Sequence, residues 1–117
     1  MEKPVHELGI ASSILEIVTR AVEEKGLQRV TRLKVVVGET TAVVPDALSF
    51  AFEAISRGTC CEVAQLEIEE RPFRARCRQC GEEFRVEEYR LICPRCGQRD
   101  AQMISGDELY VDHVEAE

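Results

Sequence analysis

Tryptophan is absent from these 117 residues, the aromatic side chains are four Phe and two Tyr, and histidine occurs only twice. Few flat rings are therefore available to stack on bases, and a net charge of −7 denies phosphate backbones a general electrostatic grip. Apolar runs are broken by charges within a few residues, and no signal peptide or lipidation motif is visible. The expectation is a soluble, cytoplasmic protein with neither a membrane nor a nucleic acid as partner. The carboxylates form no catalytic pair, and there is no nucleophile with its base, phosphate loop or cofactor fingerprint, so an enzyme is disfavoured. Repeats and low-complexity tracts are also missing.

What the chain does have is cysteine in pairs. Cys77-Arg-Gln-Cys80-Gly81 is answered by Cys93-Pro-Arg-Cys96-Gly97, with twelve residues between Cys80 and Cys93. Each Cys-x-x-Cys turn aims two thiolates at one point, and two such turns supply the four sulfurs of a tetrahedral Zn²⁺ site. The glycine after each second cysteine relieves crowding where the backbone curls towards the sulfurs. Four thiolates leave no open position for water or substrate, which makes this metal structural. A reducing compartment suits cysteines spent on metal instead of disulfides. Charge is uneven as well: seven arginines face four glutamates between Phe73 and Arg99, while the remainder is acidic.

The residues before His6, which include Pro4, carry no apolar pattern and read as a lead-in. From His6 to Gly26, Leu8, Ala11, Leu15, Val18 and Val22 recur at helical spacing, widened by Ile10, Ile14, Ile17 and Ala21 into a broad buried face. Val30 to Gly38 changes to period two and reads as a strand. Pro45 suits a first helical position for a second amphipathic helix ending near Gly58. Ala64 to Arg71 alternates as a half-buried strand, and Pro72 marks the entry to the ribbon, where Glu83–Val86 and Arg90–Ile92 are expected as short hairpin segments. Glu108 to Val114 has the composition of a last strand that returns to the first sheet, since Leu109 and Val111 otherwise lack a packing surface. The predicted architecture is α+β: two helices packed on a small three-stranded sheet, with an inserted four-cysteine zinc-ribbon domain. Residues 1–72, completed by 104–117, form one domain and 73–103 the other.

Outside the quartet the candidate ligands are few. Glu7 can simply offset the dipole at the mouth of the first helix with His6 solvated before it. A sharper alternative is a nitrogen-rich Ni²⁺ or Cu²⁺ site built from the His6 imidazole, neighbouring amides and the Glu7 carboxylate. His113 reads as a half-exposed strand residue, and Cys60 and Cys61 as buried or idle thiols, with adventitious metal binding or oxidation as the lesser account.

Together the residues resemble the HypA/HybF family of hydrogenase maturation proteins. The likeness rests on His6-Glu7-Leu8 leading into Ile14-Leu15-Glu16-Ile17-Val18, on Leu33-Lys34-Val35-Val36-Val37-Gly38-Glu39, and on Pro45-Asp46-Ala47-Leu48 with Phe50-Ala51-Phe52. It continues through Gly58-Thr59, Leu66-Glu67-Ile68-Glu69, the four ribbon cysteines and Gly106-x-Glu108-Leu109. The resemblance implies a nickel metallochaperone with structural zinc, in which His6 is the nickel ligand, Glu7 its neighbour, and Cys77, Cys80, Cys93 and Cys96 hold Zn²⁺. It further implies a nickel-handling GTPase and the [NiFe] hydrogenase large-subunit precursor as partners, urease accessory proteins in some bacteria, and 1–72 as the nickel-binding domain. The family motif begins at the initiator Met, whereas Val5 precedes the histidine here. An internal His6 keeps its imidazole and flanking amides without a terminal amine beside it, so the site is altered or the start differs. A zinc-ribbon adaptor for protein or nucleic acid, without nickel transfer, is the alternative, and exposed strands beside the Pro72 hinge allow domain exchange into a homodimer.

Overall fold

Secondary structure follows the two periodicities closely. The computed structural model describes residues 3–117. Helix α1 (Lys3–Glu24) leads into strand β1 (Val30–Gly38), a single 3-10 turn (Glu39–Thr41), helix α2 (Pro45–Ser56) and strand β2 (Gln65–Arg71). Three short strands follow, β3 (Arg74–Cys77), β4 (Glu83–Arg85) and β5 (Ala101–Ser105), before the last strand β6 (Leu109–Ala116). The strands form two three-stranded sheets, ordered β2-β1-β6 and β4-β3-β5. The chain is α+β, and the last strand returns to the first sheet.

Two compact units result, one from the chain up to Val36 with Val43–Glu69 and Tyr110–Glu117, the other from Val37–Ala42 and Glu70–Leu109. In the first unit α1 and α2 pack together. Its core draws Ala11, Ile14, Val18 and Val22 from α1, Val30, Leu33, Val35 and Val36 from β1, and Leu48, Ala51 and Phe52 from α2. Each fully buried Leu or Val contributes about 1.5–3 kcal/mol over leaving it in water. The helix ends as its glycine predicts: Gly26 adopts φ 68°, with Gly26 N–H bonding Glu23 O at 3.1 Å and Leu27 N–H bonding Val22 O at 3.0 Å. β6 runs antiparallel to β1, since Thr31 Oγ1 donates to Glu115 O at 3.2 Å while Arg29 and Glu117 exchange both backbone bonds, at 3.0 and 2.8 Å.

The second unit has a smaller core of Phe73, Ala75, Cys77, Phe84, Val86 and Cys93. β3 sits between β4 and β5, antiparallel to both, with Ala75 opposite Phe84 on one side and Met103 on the other. Gly38 and Gly106 meet here: a Cβ on Gly38 would lie 2.1 Å from Gly106 O, and that oxygen accepts from Thr40 N–H and Thr40 Oγ1, both at 2.7 Å. No side chain fits at Gly38 without moving backbone.

Three expectations are corrected. The helix begins at Lys3, so Pro4 does not break it; in the first turn a missing N–H costs nothing. The apolar face of α1 is narrow, because Leu8 and Ile17 are 44% and 57% exposed and the buried line runs through Glu7, Ala11, Ile14, Val18 and Val22. In the ribbon, Arg90–Ile92 is not a strand, and Glu83–Arg85 pairs instead with β3, whose other edge is taken by β5. Two successive left-handed residues, Glu88 at φ 55° and Tyr89 at 59°, turn the chain away from extended geometry there.

Candidate metal centres

The two Cys-x-x-Cys turns fold by the same bonds. Cys77 N–H donates to Glu82 O at 2.8 Å and Gly81 N–H to Cys77 O at 2.9 Å; Cys93 N–H donates to Gln98 O at 2.9 Å and Gly97 N–H to Cys93 O at 2.8 Å. Both glycines sit at positive φ, 82° for Gly81 and 77° for Gly97, where any other residue would be strained. Each turn contributes one buried cysteine, Cys77 or Cys93, and one exposed cysteine, Cys80 or Cys96. The buried pair belongs to the ribbon's own core, so the metal site and the packing of Phe73 and Phe84 are one structure.

The four sulfurs lie within 4.8 Å of one another, with Cys77–Cys96 and Cys80–Cys93 both at 3.6 Å. Zinc–sulfur bonds of about 2.3 Å in a tetrahedron place the sulfurs roughly 3.8 Å apart, so the quartet fits a tetrahedral ion. Backbone N–H groups of Arg95 and Cys96 point at Cys93 Sγ, at 3.4 and 3.5 Å. Burial raises the Cys93 pKa, but these donors and the thiols of Cys80 and Cys96 outweigh it and bring the group down to about 7. At Cys96 the Gln98 backbone stabilises the thiolate, yet burial and hydrogen bonding with Cys77, Cys93 and Cys80 carry it up to about 12. Negative charge thus gathers first on Cys93. Around the site, Arg78 pairs with Asp100 at 2.9 Å and Gln79 donates to the same carboxylate at 3.0 Å, tying the first turn to the approach to β5. Arg78 and Gln79 hold the Asp100 carboxyl below its ordinary range.

The other predicted ligands separate. His6 is exposed in the first turn of α1, whereas Glu7 is only 1% exposed. Glu7 Oε2 accepts the backbone N–H of Val44 at 2.8 Å, and Oε1 is buried without a hydrogen-bond partner. Val44 is the N-cap of α2 and has no side-chain oxygen to cap that helix itself, so Glu7 brings a carboxylate from α1 to its positive end. Sequence reasoning missed this role, although the signal was there: one helical turn before Ala11, on the same buried line, lies Glu7. His113 is exposed on β6 beside Glu115, 2.9 Å from Nε2 to Oε2. Among the described residues only the cysteine quartet brings three or more His, Cys, Asp or Glu ligands together.

A family model described as hydrogenase/urease nickel incorporation, metallochaperone, HypA matches residues 5–116. Curated relatives named hydrogenase maturation factor HypA include one from Moorella thermoacetica, 38% identical over 97% of this chain and all of its own length. Another, from Geobacter metallireducens, is 41% identical over the same shares. Among solved structures, the solution structure of the nickel metallochaperone HypA from Helicobacter pylori superposes with a TM-score of 0.64 at 20% identity, covering 94% of this chain and 96% of that one. A second, a solution structure of HypA protein, gives 0.71 at 21% identity with 96% of each chain covered. Both are similar in fold.

Proposed function

We propose that this chain, which belongs to the HypA family of nickel-incorporation metallochaperones, binds Ni²⁺ through His6 and delivers it to the [NiFe] hydrogenase large-subunit precursor. The family match over residues 5–116 carries the reading. It acts in the cytoplasm without catalysing a reaction, alongside a nickel-handling GTPase, and serves urease accessory proteins where a urease is present.

In this reading the domain made of 1–72 and 104–117 handles nickel, and 73–103 is a zinc ribbon. His6 offers an accessible imidazole, the borderline nitrogen donor that suits Ni²⁺. Its place in the first turn of α1, a turn with no acidic side chain, sets the cation against the positive end of the helix dipole. That repulsion keeps the ion transferable. Glu7 is the neighbour that holds this turn to α2 through Val44. An ion drawing on Glu7 as well would have to reach Oε1, the carboxylate oxygen that nothing else satisfies. Cys77, Cys80, Cys93 and Cys96 would hold Zn²⁺, whose role there is to fix the ribbon.

Calorimetric titration of zinc-loaded protein tests the site. One Ni²⁺ should bind the unaltered chain, and His6→Ala should abolish that binding while zinc content stays the same. Undiminished nickel uptake by His6→Ala removes His6 from the site. Normal hydrogenase maturation in cells carrying the variant would move the adaptor reading ahead.

A further inference from the structure

Cys60 and Cys61 stand in the turn between α2 and β2, outside the quartet. The turn is pinned on all sides. Val30 N–H donates to Cys60 O at 2.9 Å, Cys61 N–H to Thr59 Oγ1 at 3.1 Å, and Thr59 Oγ1 to Ser56 O at 2.6 Å. The two sulfurs lie 4.0 Å apart, and Cys60 Sγ is also 3.7 Å from Thr19 Oγ1. Cys60 borders an open hollow with Gln28, Arg29 and Glu62. Cys61, 1% exposed, borders a separate cavity of about 250 Å³ that Ser56 also lines. The Ser56 hydroxyl in that cavity is buried and has no hydrogen-bond partner. Burial, with Cys60 beside it, pushes the Cys61 thiol up to about 12, so it stays inert unless a strongly thiophilic ion displaces its proton.

We propose that Cys60 and Cys61 form a second metal site, a two-sulfur clamp for a soft monovalent cation of the Cu(I) class, separate from both the quartet and the nickel cargo. Sulfurs at this separation are close enough to hold one ion between them through metal–sulfur bonds of about 2.3 Å. No third His, Cys, Asp or Glu among the described residues joins the pair. That lack leaves Ni²⁺ and Zn²⁺ short of their usual four ligands, while soft thiolates at low coordination select Cu(I). On binding, each thiol releases its proton to solvent as a sulfur–metal bond forms, and no oxidation state changes. Such a clamp would intercept Cu(I) before it attacks Cys80 and Cys96, the quartet's exposed cysteines.

The experiment is an anaerobic titration of the zinc-loaded full chain with Cu(I) buffered by a chromophoric chelator, with a zinc dye reading released zinc. The first equivalent should bind without zinc release. Cys60→Ser, at the partly exposed position, should weaken that binding at least tenfold and make zinc release start with the first equivalent; Cys61→Ala should do the same. Matching circular dichroism and initial zinc content establish that the variants are folded, and copper-edge absorption should count two sulfur neighbours. Equal affinity in folded Cys60→Ser, or zinc release from the unaltered chain at the first equivalent, overturns the clamp. The outcome is independent of nickel binding at His6.

Discussion

A carboxylate at 1% exposure is costly to bury, and at Glu7 half of it is left without a partner. The arrangement persists because Oε2 caps a helix whose own N-cap residue is valine. Glu7→Ala should therefore destabilise the chain by about 2–3 kcal/mol, from an unpaired Val44 N–H together with the space left behind. Glu7→Gln keeps an acceptor for Val44 and should cost less than half of that. Urea denaturation of the two variants at neutral pH provides the comparison, and equal losses would show that the cap contributes little. The neighbour His6, one step around the helix, faces solvent, and replacing it should leave the midpoint unchanged. Adjacent residues of one motif are thus separable by experiment, Glu7 through stability and His6 through the nickel binding proposed for it.

The Cys-x-x-Cys turn is the element in which local chemistry shows most clearly. Two turns make the same backbone bonds at the same offsets, yet Cys93 lies at about 7 and Cys96 at about 12 before a metal arrives. A divalent ion must displace whatever protons remain, so affinity rises with pH. Above about pH 7 Cys93 is already a thiolate and its ionisation adds nothing; below it, one more proton must leave. Zinc affinity, measured by competition with a chelator of known protonation, should therefore fall as the solution is acidified through neutrality, more steeply on the acid side. A constant slope through that range would contradict the order of ionisation. These turns were legible in the sequence because spacing and glycines declare them. β3 and β5 were not, since Arg-Ala-Arg-Cys and Ala-Gln-Met-Ile-Ser are too short and too polar to show alternation. The broad face read onto α1 failed for the opposite reason: Leu8 and Ile17 satisfy a helical spacing without being buried, and Glu7 is buried without being apolar. Composition marks which residues could enter a core, and only the packing partners decide which do.

At the scale of the molecule, each compact unit has its own apolar centre, but they differ in how far that centre can sustain a fold. The first draws on two helices and a three-stranded sheet, with Leu33, Val35, Val36 and Leu48 fully buried. The second has an apolar cluster of six buried residues, two of them cysteines of the quartet. A metal in the quartet would staple so small a core, and its removal should loosen that unit first. Hydrogen exchange on metal-free protein should show protection lost across residues 74–105 and retained in α1 and α2. Uniform loss would mean that the larger core has no independent stability. The sequence made the location of the quartet plain and the sheet order partly so, because β1, α2 and the return of β6 follow from periodicity and from apolar residues needing a surface. The two free cysteines, whose surroundings come from segments distant in sequence, had no readable pattern at all.

The order of strands β2-β1-β6 also sets a schedule. β1 is central, yet one of its two neighbours is the last strand in the chain, and everything from Glu39 to Glu108 is made between them. At roughly 5–20 residues per second, a ribosome that has finished β1 needs several seconds more before β6 is even synthesised. During that interval one edge of β1 offers unpaired amides and carbonyls to any passing strand. The nascent chain therefore carries this hazard while the two cysteine turns are emerging, and the sheet closes only once β6 has been made.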